Sequence, residues 1–140
     1  MTEKNGRYYL TVKAIVVKNN KCLLMKRRAY RNSPYEWDLP GGCLGIKEDP
    51  NKGILREVFE ESGFEVKIKK IIEIKLSDKN NTVFITYLAV PIKGKLKLSH
   101  EHIESAWIPF DEKDIENYDN KAFMDNAKKY FKKEEKMIYY

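Results

Sequence analysis

Glu57, Glu60 and Glu61 are spaced i, i+3 and i+4, so on a helix three carboxylates gather within about one turn and repel one another. A hard divalent cation with oxygen ligands, Mg2+ or Mn2+, relieves that repulsion most economically, and Glu48 could join it directly or through water. Arg56, one residue before Glu57 and four before Glu60, could hold one carboxylate in orientation through charge-assisted hydrogen bonds. Spacing alone equally describes the solvated face of a glutamate-rich helix. The preceding residues weigh against that plainer description. Gly41-Gly42 lets the backbone approach a ligand closely and turn carbonyls or amides toward a metal or phosphate, just before a helix N-terminus that itself favours anions. Together these are the parts that metal-assisted phosphoryl chemistry requires.

The spacing is also specific. Gly42, Glu48, Arg56-Glu57, Val58, Glu60-Glu61, Gly63 and Phe64 follow without mismatch the pattern Gly, five residues, Glu, seven residues, Arg-Glu, apolar, any, Glu-Glu, any, Gly, apolar. Residues 42–64 thereby resemble the Nudix box, the motif of hydrolases acting on nucleoside diphosphates linked to another moiety. Trp37-Asp38-Leu39-Pro40-Gly41-Gly42 resembles the family's approach to the box and Trp107-Ile108-Pro109-Phe110 its late strand, so the similarity covers most of residues 8–110. Gly45 stands where many members carry an extra Glu, Lys47 where many have Gly, and Gly53 where many have Ala. The last is expected to weaken the helix by roughly 0.5–1 kcal/mol relative to Ala.

The resemblance implies an α/β fold, a mixed β-sheet sandwiched between helices in α/β/α layers, and a Mg2+-dependent diphosphatase. It implies Mg2+ (or Mn2+) held by Gly42, Glu57, Glu60 and Glu61, bridging diphosphate oxygens and helping to activate water, with Arg56, Glu57 and Glu60 in the catalytic group. The family's general base varies; Glu101 and Glu104 are the loop candidates. Glu101 is preferred because Ser99-His100-Glu101-His102 reads as a loop over the site. Arg27, Arg28 and Arg31 could contact substrate phosphates or be plain solvated cations. Trp37, Tyr35 and Phe84 could stack on a base or sit in the core. Asn120 could offer an amide to the base or cap a helix. His100 and His102 could ligate a transition metal but lack further ligands, and read more plainly as surface loop histidines. Cys43 could sense oxidation, or be a small buried residue.

The partner expected is a nucleotide-like small molecule rather than a nucleic acid. Neither the proline about 15 residues beyond the box expected of ADP-ribose hydrolases nor the tyrosine expected of diadenosine polyphosphate hydrolases is found; Asn80, Asn81 and Thr82 occupy that neighbourhood. A nucleoside triphosphate, oxidised or not, releasing monophosphate and diphosphate is the expectation that remains. The alternatives are an RNA 5′-end pyrophosphohydrolase, supported by basic flanks, and a non-catalytic nucleotide-sensing or nucleic-acid-binding module of the same fold. Isomerisation of an isoprenoid diphosphate would need a catalytic Cys that is not identifiable.

These residues need elements to hold them. Tyr8–Val17 and Cys22–Lys26 read as a hairpin about Lys18-Asn19-Asn20-Lys21, with Val12, Ala14 and Val16 on one face and Thr11 and Lys13 on the other. Residues 29–36, with Asn32-Ser33-Pro34, read as a loop. Asp49 as cap, Pro50 in the first position and Gly63 as left-handed terminator predict a helix over 50–62. Leu55, Val58, Phe59 and Ser62 are its expected packing stripe. Strands are predicted over 64–76, 82–91 and 103–110, helices over 111–115 and 120–131, and a frayed tail over 132–140.

One domain over 1–140 suits the 140-residue length, and 42% hydrophobic residues with nine Tyr, six Phe and two Trp suffice for its core. No apolar run approaches a membrane span, and Met1–Arg7 lacks the features of a secretory signal, so a cytoplasmic location is expected. Cys22 and Cys43 are too few for a disulfide framework. Charge is segregated: residues 1–40 carry nine basic and three acidic side chains and residues 65–98 eight and three, whereas 41–64 carry three and five and 99–120 one and seven. Acidic segments within a basic surround suit a metal-chelated polyanion, or describe a lysine-rich solvated surface. A homodimer is left open.

Overall fold

Asn19 and Asn20 both adopt left-handed backbone (φ 53° and 59°), the pair of positive φ values a two-residue hairpin turn of type I′ demands. They join β1 (Tyr9–Lys18) to β2 (Lys21–Arg27), the elements of a computed structural model that describes residues 6–28, 37–119, 121–127 and 129. The strands pair only near the turn, at Val17–Cys22 and Lys18–Lys21. Beyond it they part. β4 (Gly41–Cys43) then takes β2's place against Thr11–Lys13, while β2 continues between β3 (Trp37–Asp38) and β7 (His102–Pro109), antiparallel to both.

On its other edge β1 runs parallel to β6 (Thr82–Gly94), which pairs antiparallel with β5 (Phe64–Ser77); the order along the mixed sheet is β3-β2-β1-β6-β5. Among the described residues β5 therefore lies at an edge, with Ile71 and Ile74 exposed on it. Helix α1 (Pro50–Ser62) covers one face: Ile54 and Val58 pack on Val12, Ala14, Val16, Leu23, Met25 and Tyr87. The short α2 (Glu112–Glu116) and α3 (residues 121–127) cover the other, where Ile15, Cys22, Leu24, Trp37 and Phe110 meet Ala127. The expected mixed sheet between helices is thus the observed architecture, and α1 has the bounds that its caps predict.

Two details differ. Leu55 and Phe59, expected on the packing stripe of α1, are 37% and 54% exposed, and the buried arc is Ile54, Val58, Glu61 and Ser62. The helix is rolled because Glu61 turns inward to accept a hydrogen bond from β4, described below. Gly53, whose lack of a side chain weakens the helix intrinsically, has a packing reason: a Cβ there would lie 2.2 Å from Leu44 Cδ2. Cys22 is buried, whereas Cys43 is exposed rather than buried, its thiol 3.4 Å from Thr11 Oγ1. Among the described residues no helix is long and apolar enough to cross a membrane. The loop at 29–36, with Arg31 and Tyr35, as well as Asn120 and the tail at 132–140, lie outside the described residues.

Candidate functional site

Three local devices fix the two ends of α1. The Asp49 side chain accepts the Lys52 N–H (3.1 Å), Pro50 has no N–H that needs an acceptor, and Gly63 ends the helix at φ 82°. A Cβ at Gly63 would meet the Lys95 carbonyl at 2.3 Å, so only glycine serves there. The last turn so fixed carries Glu60 and Glu61, with Glu57 one turn earlier. Glu61 is only 6% exposed, and its Oε2 accepts the Gly41 N–H at 3.0 Å. Burial pushes the Glu61 carboxyl up to about 8; Gly41's N–H pulls against this, and the neighbouring Glu57 adds to it.

β4 is wedged so tightly between β1 and these carboxylates that neither of its glycines has room for a side chain. A Cβ at Gly41 would lie 2.0 Å from the Val12 carbonyl, at φ 152°, and one at Gly42 would lie 2.8 Å from Glu57 Oε1. The bonds from Ala14 N–H to Pro40 C=O and from Leu44 N–H to Leu10 C=O, each 2.9 Å, frame Val12 and Gly42 as the hydrogen-bonded pair between them. Both backbone groups of Gly42 therefore face β1. Gly41 faces the other way and meets Glu61, a distinction that spacing in the sequence does not make.

Arg56 does more than steady one carboxylate. Its Nε and Nη2 form a fork on Glu48 (2.7 and 2.9 Å), Nη2 also reaches Glu57 Oε1 (3.0 Å), and Nη1 reaches Glu60 Oε2 (3.0 Å). Glu48, expected as a direct or water-linked ligand, has both oxygens engaged by Arg56, and the Gly45 N–H adds a bond at 3.1 Å. Arg56 holds Glu60, and no three His, Cys, Asp or Glu side chains among the described residues converge as a ready-made ligand set. Glu57 and Glu61 remain together, with Glu60 half-exposed beside them.

The Arg56 fork, aided by the Gly45 amide, holds the Glu48 carboxyl down at about 2, below its ordinary 4.5. A depressed carboxyl contributes stability above the unfolded-state value and loses it as pH falls through the folded value. The melting-temperature gap between the wild type and Glu48→Gln, measured in a chelator, is therefore expected to hold steady above about pH 5 and to narrow progressively below it. A gap that widens on acidification would contradict the assignment.

A cleft of about 880 Å3 opens where β1 and β2 part. Glu57, Glu60, Glu61 and the two glycines line one side of it, and Arg27, Lys13, Phe84 and residues 99–102 line others. Glu101 lies on this wall, whereas Glu104 is exposed on β7 opposite Lys26. Arg27 lines the cleft, but Arg28 does not: its Nε donates to the His100 carbonyl (2.9 Å). Trp37, offered as a stacking residue, is 8% exposed in the core beneath α3. His102 is no surface histidine; it is 8% exposed, and burial lowers its pKa.

Sequence reasoning passed over Lys13 and Asp38, which form an ion pair of 2.8 Å in the cleft wall. Their signal was present. Lys13 sits on the polar face of an otherwise buried strand, and Asp38 lies three residues before Gly41.

Residues 7–131 match the model of the NUDIX domain. The chain belongs to the Nudix domain family. Its similarity to a MutT-like protein of Streptomyces ambofaciens is 31% identity over 103 residues, which covers 74% of this chain and 65% of that one. It therefore spans about two thirds of the length of that relative. Similarity to an ADP-ribose pyrophosphatase of Methanocaldococcus jannaschii is 29% over 130 residues, covering 86% of this chain and 72% of the relative. Among solved structures, the MutT protein from Methanosarcina mazei superposes with a TM-score of 0.60 at 30% identity, covering 72% and 76% of the two chains. An ADP-ribose pyrophosphatase from Streptococcus suis superposes with a TM-score of 0.63 over 73% and 74%; at 23% identity it bears on the Nudix fold alone.

Proposed function

We propose that this Nudix chain hydrolyses a phosphoanhydride bond of a nucleoside-diphosphate-linked metabolite with the help of Mg2+, and that a nucleoside triphosphate, oxidised or not, is its substrate. The observation that carries this reading is the buried Glu61 beside Glu57 at the cleft wall. Glu61, pushed up to about 8 chiefly by burial, and Glu57 beside it form a hard-oxygen donor set suited to Mg2+ or Mn2+. Glu57, Glu60 and Glu61 would hold the ion. Gly42, whose carbonyl already accepts from Val12, is a weaker backbone donor than Gly41. When bound, the ion supplies charge neutralisation at the diphosphate and a more acidic water. Arg27 and Lys13 place positive charge where phosphates would lie, and Glu101 on the facing wall takes the proton from the attacking water.

Arg56 positions the carboxylates rather than reacting. Arg56→Lys is expected to lower Mn2+ affinity about 10- to 100-fold, because a point ammonium cannot fork across Glu48 while reaching Glu57 and Glu60. Titration of Mn2+ followed by electron paramagnetic resonance reads this directly; unchanged affinity would remove Arg56 from the site.

A second reading, cleavage of ADP-ribose, is favoured by the name of the Methanocaldococcus relative. One experiment separates them. The protein is incubated with Mg2+ and, separately, nucleoside triphosphates, ADP-ribose, nucleotide sugars, dinucleotides and 5′-triphosphate RNA in 18O-water, with products identified by mass. Monophosphate plus diphosphate from a triphosphate supports the first reading, and AMP plus ribose phosphate the second. Diphosphate released from RNA would support 5′-end trimming. No product from any substrate would favour a nucleotide-sensing module.

A further inference from the structure

Residues 97–102 bridge the cleft. On one side the Lys97 N–H donates to the Ser62 carbonyl (2.8 Å) and the Ser99 N–H to the Glu61 carbonyl (3.4 Å), tying the segment to the last turn of α1. On the other, Arg28 holds it twice, its backbone N–H donating to the Glu101 carbonyl (2.7 Å) and its Nε to the His100 carbonyl (2.9 Å). The His102 N–H closes the turn on the Ser99 carbonyl (3.2 Å). The segment is thus pinned to both elements that flank the site, although it has little regular structure of its own.

What this bridge presents to the cleft is an imidazole. His102 is 8% exposed yet lines the cleft, and its Nδ1 lies 3.2 Å from Ser99 Oγ. That bond orients the ring, and a hydroxyl partner can serve either tautomer. In the tautomer in which Ser99 donates to Nδ1, the proton sits on Nε2, for which the described residues supply no hydrogen-bond partner. The charges around the ring are mixed: Arg27 and Lys13 disfavour a second proton, while Glu101 and Asp38 favour one, and burial sides with the cations. A neutral imidazole at the wall of a cleft that Arg27 and Lys13 also line can serve as a donor for a phosphoryl oxygen.

We infer that His102, oriented by Ser99, binds the substrate by donating a hydrogen bond from Nε2 to a non-bridging oxygen of its diphosphate. This rests on the hydrolase reading for its substrate but not for its binding test. A ground-state contact of this kind acts on binding rather than on the chemical step. His102→Leu is expected to raise KM about ten- to hundredfold, the worth of a hydrogen bond to a charged group, with kcat within about threefold. His102→Gln, which keeps a donor, is expected to recover part of this loss, and Ser99→Ala to raise KM by less than His102→Leu does. A merely structural histidine would instead lower kcat and melting temperature together, with no rescue by Gln.

Because the chain has only two histidines, imidazole 15N resonances give a readout that needs neither turnover nor any change at His102. Wild-type protein is titrated with Mg2+ and a methylene-bridged nucleoside diphosphate, and His100→Gln assigns the two rings. The expected result is a neutral His102 with protonated Nε2, whose resonance moves on ligand addition. A bound analogue that leaves His102 Nε2 unmoved, or a KM unchanged in both His102 variants, overturns the inference. No binding of the analogue at all overturns it together with the nucleotide reading. Binding that moves His102 while no substrate of the panel is turned over keeps the inference and overturns hydrolysis alone.

Discussion

Glu61→Gln is expected to lower Mg2+-dependent turnover at least about a hundredfold while leaving the fold intact. The substitution is nearly isosteric, and the amide oxygen can still accept the Gly41 N–H that holds Glu61 at 3.0 Å. What it removes is the charge, and with it part of the donor set for the divalent ion. Charge stabilisation by such an ion is worth several kcal/mol, and each 1.36 kcal/mol is tenfold in rate. Burial and Glu57 both oppose ionisation of Glu61, so the variant is expected to melt no lower than the wild type in the absence of divalent ions. Kinetics and a thermal melt on the same preparation decide the matter. Full activity in Glu61→Gln would remove this carboxylate from the metal assignment, and a collapsed melting temperature would make its role structural.

Gly41→Ala is expected to cost about 3 kcal/mol of stability, or about 10 °C in melting temperature for a chain of this size. Its Cβ would fall 2.0 Å from the Val12 carbonyl, at a backbone angle that L-residues rarely adopt, and neither β4 nor the buried β1 has slack to yield. Gly42→Ala offers the contrast. There the obstacle is the Glu57 carboxylate, the free end of a side chain, so the fold should tolerate the methyl group better while the carboxylate is displaced. The pair therefore separates two roles for adjacent glycines: the first chiefly fails to fold as well, the second chiefly fails to turn over. Identical melting curves for Gly41→Ala and the wild type would show that β4 does not sit against β1 as described.

The legible parts of the sequence were those whose physics is local. Asp49, Pro50 and Gly63 define α1 because capping is settled within a turn of chain, and Asn19-Asn20 marks the hairpin because side chains of that type accept positive φ. The roll of α1 was not legible. A helical wheel places Leu55 and Phe59 inward because they are apolar, but the bond from Gly41 draws Glu61 in and turns Phe59 out, and that bond depends on where β4 docks. The same limit applies to the two glycines. Which of them spends its backbone on β1 follows from the pairing register, and either is compatible with the motif. His102 looked like one of two loop histidines because its segment is docked by bonds to the Glu61 and Ser62 carbonyls and from Arg28, all distant in sequence. Lys13 was visible as the polar position of a buried strand, yet only the parting of β1 and β2 gives it a cleft to face.

β5 carries a further meaning. A 14-residue strand at the end of the sheet order offers a row of backbone donors and acceptors to any other extended chain, and exposed Ile71 and Ile74 would add apolar grip to such a pairing. Lys67, Lys69, Lys70 and Lys75 are spread along the same strand. Two copies meeting edge to edge would bring these cations together, at a cost that rises as salt is removed. Much of the positive charge in this segment thus has a use that requires no polyanion: it keeps an open template from copying itself into aggregates.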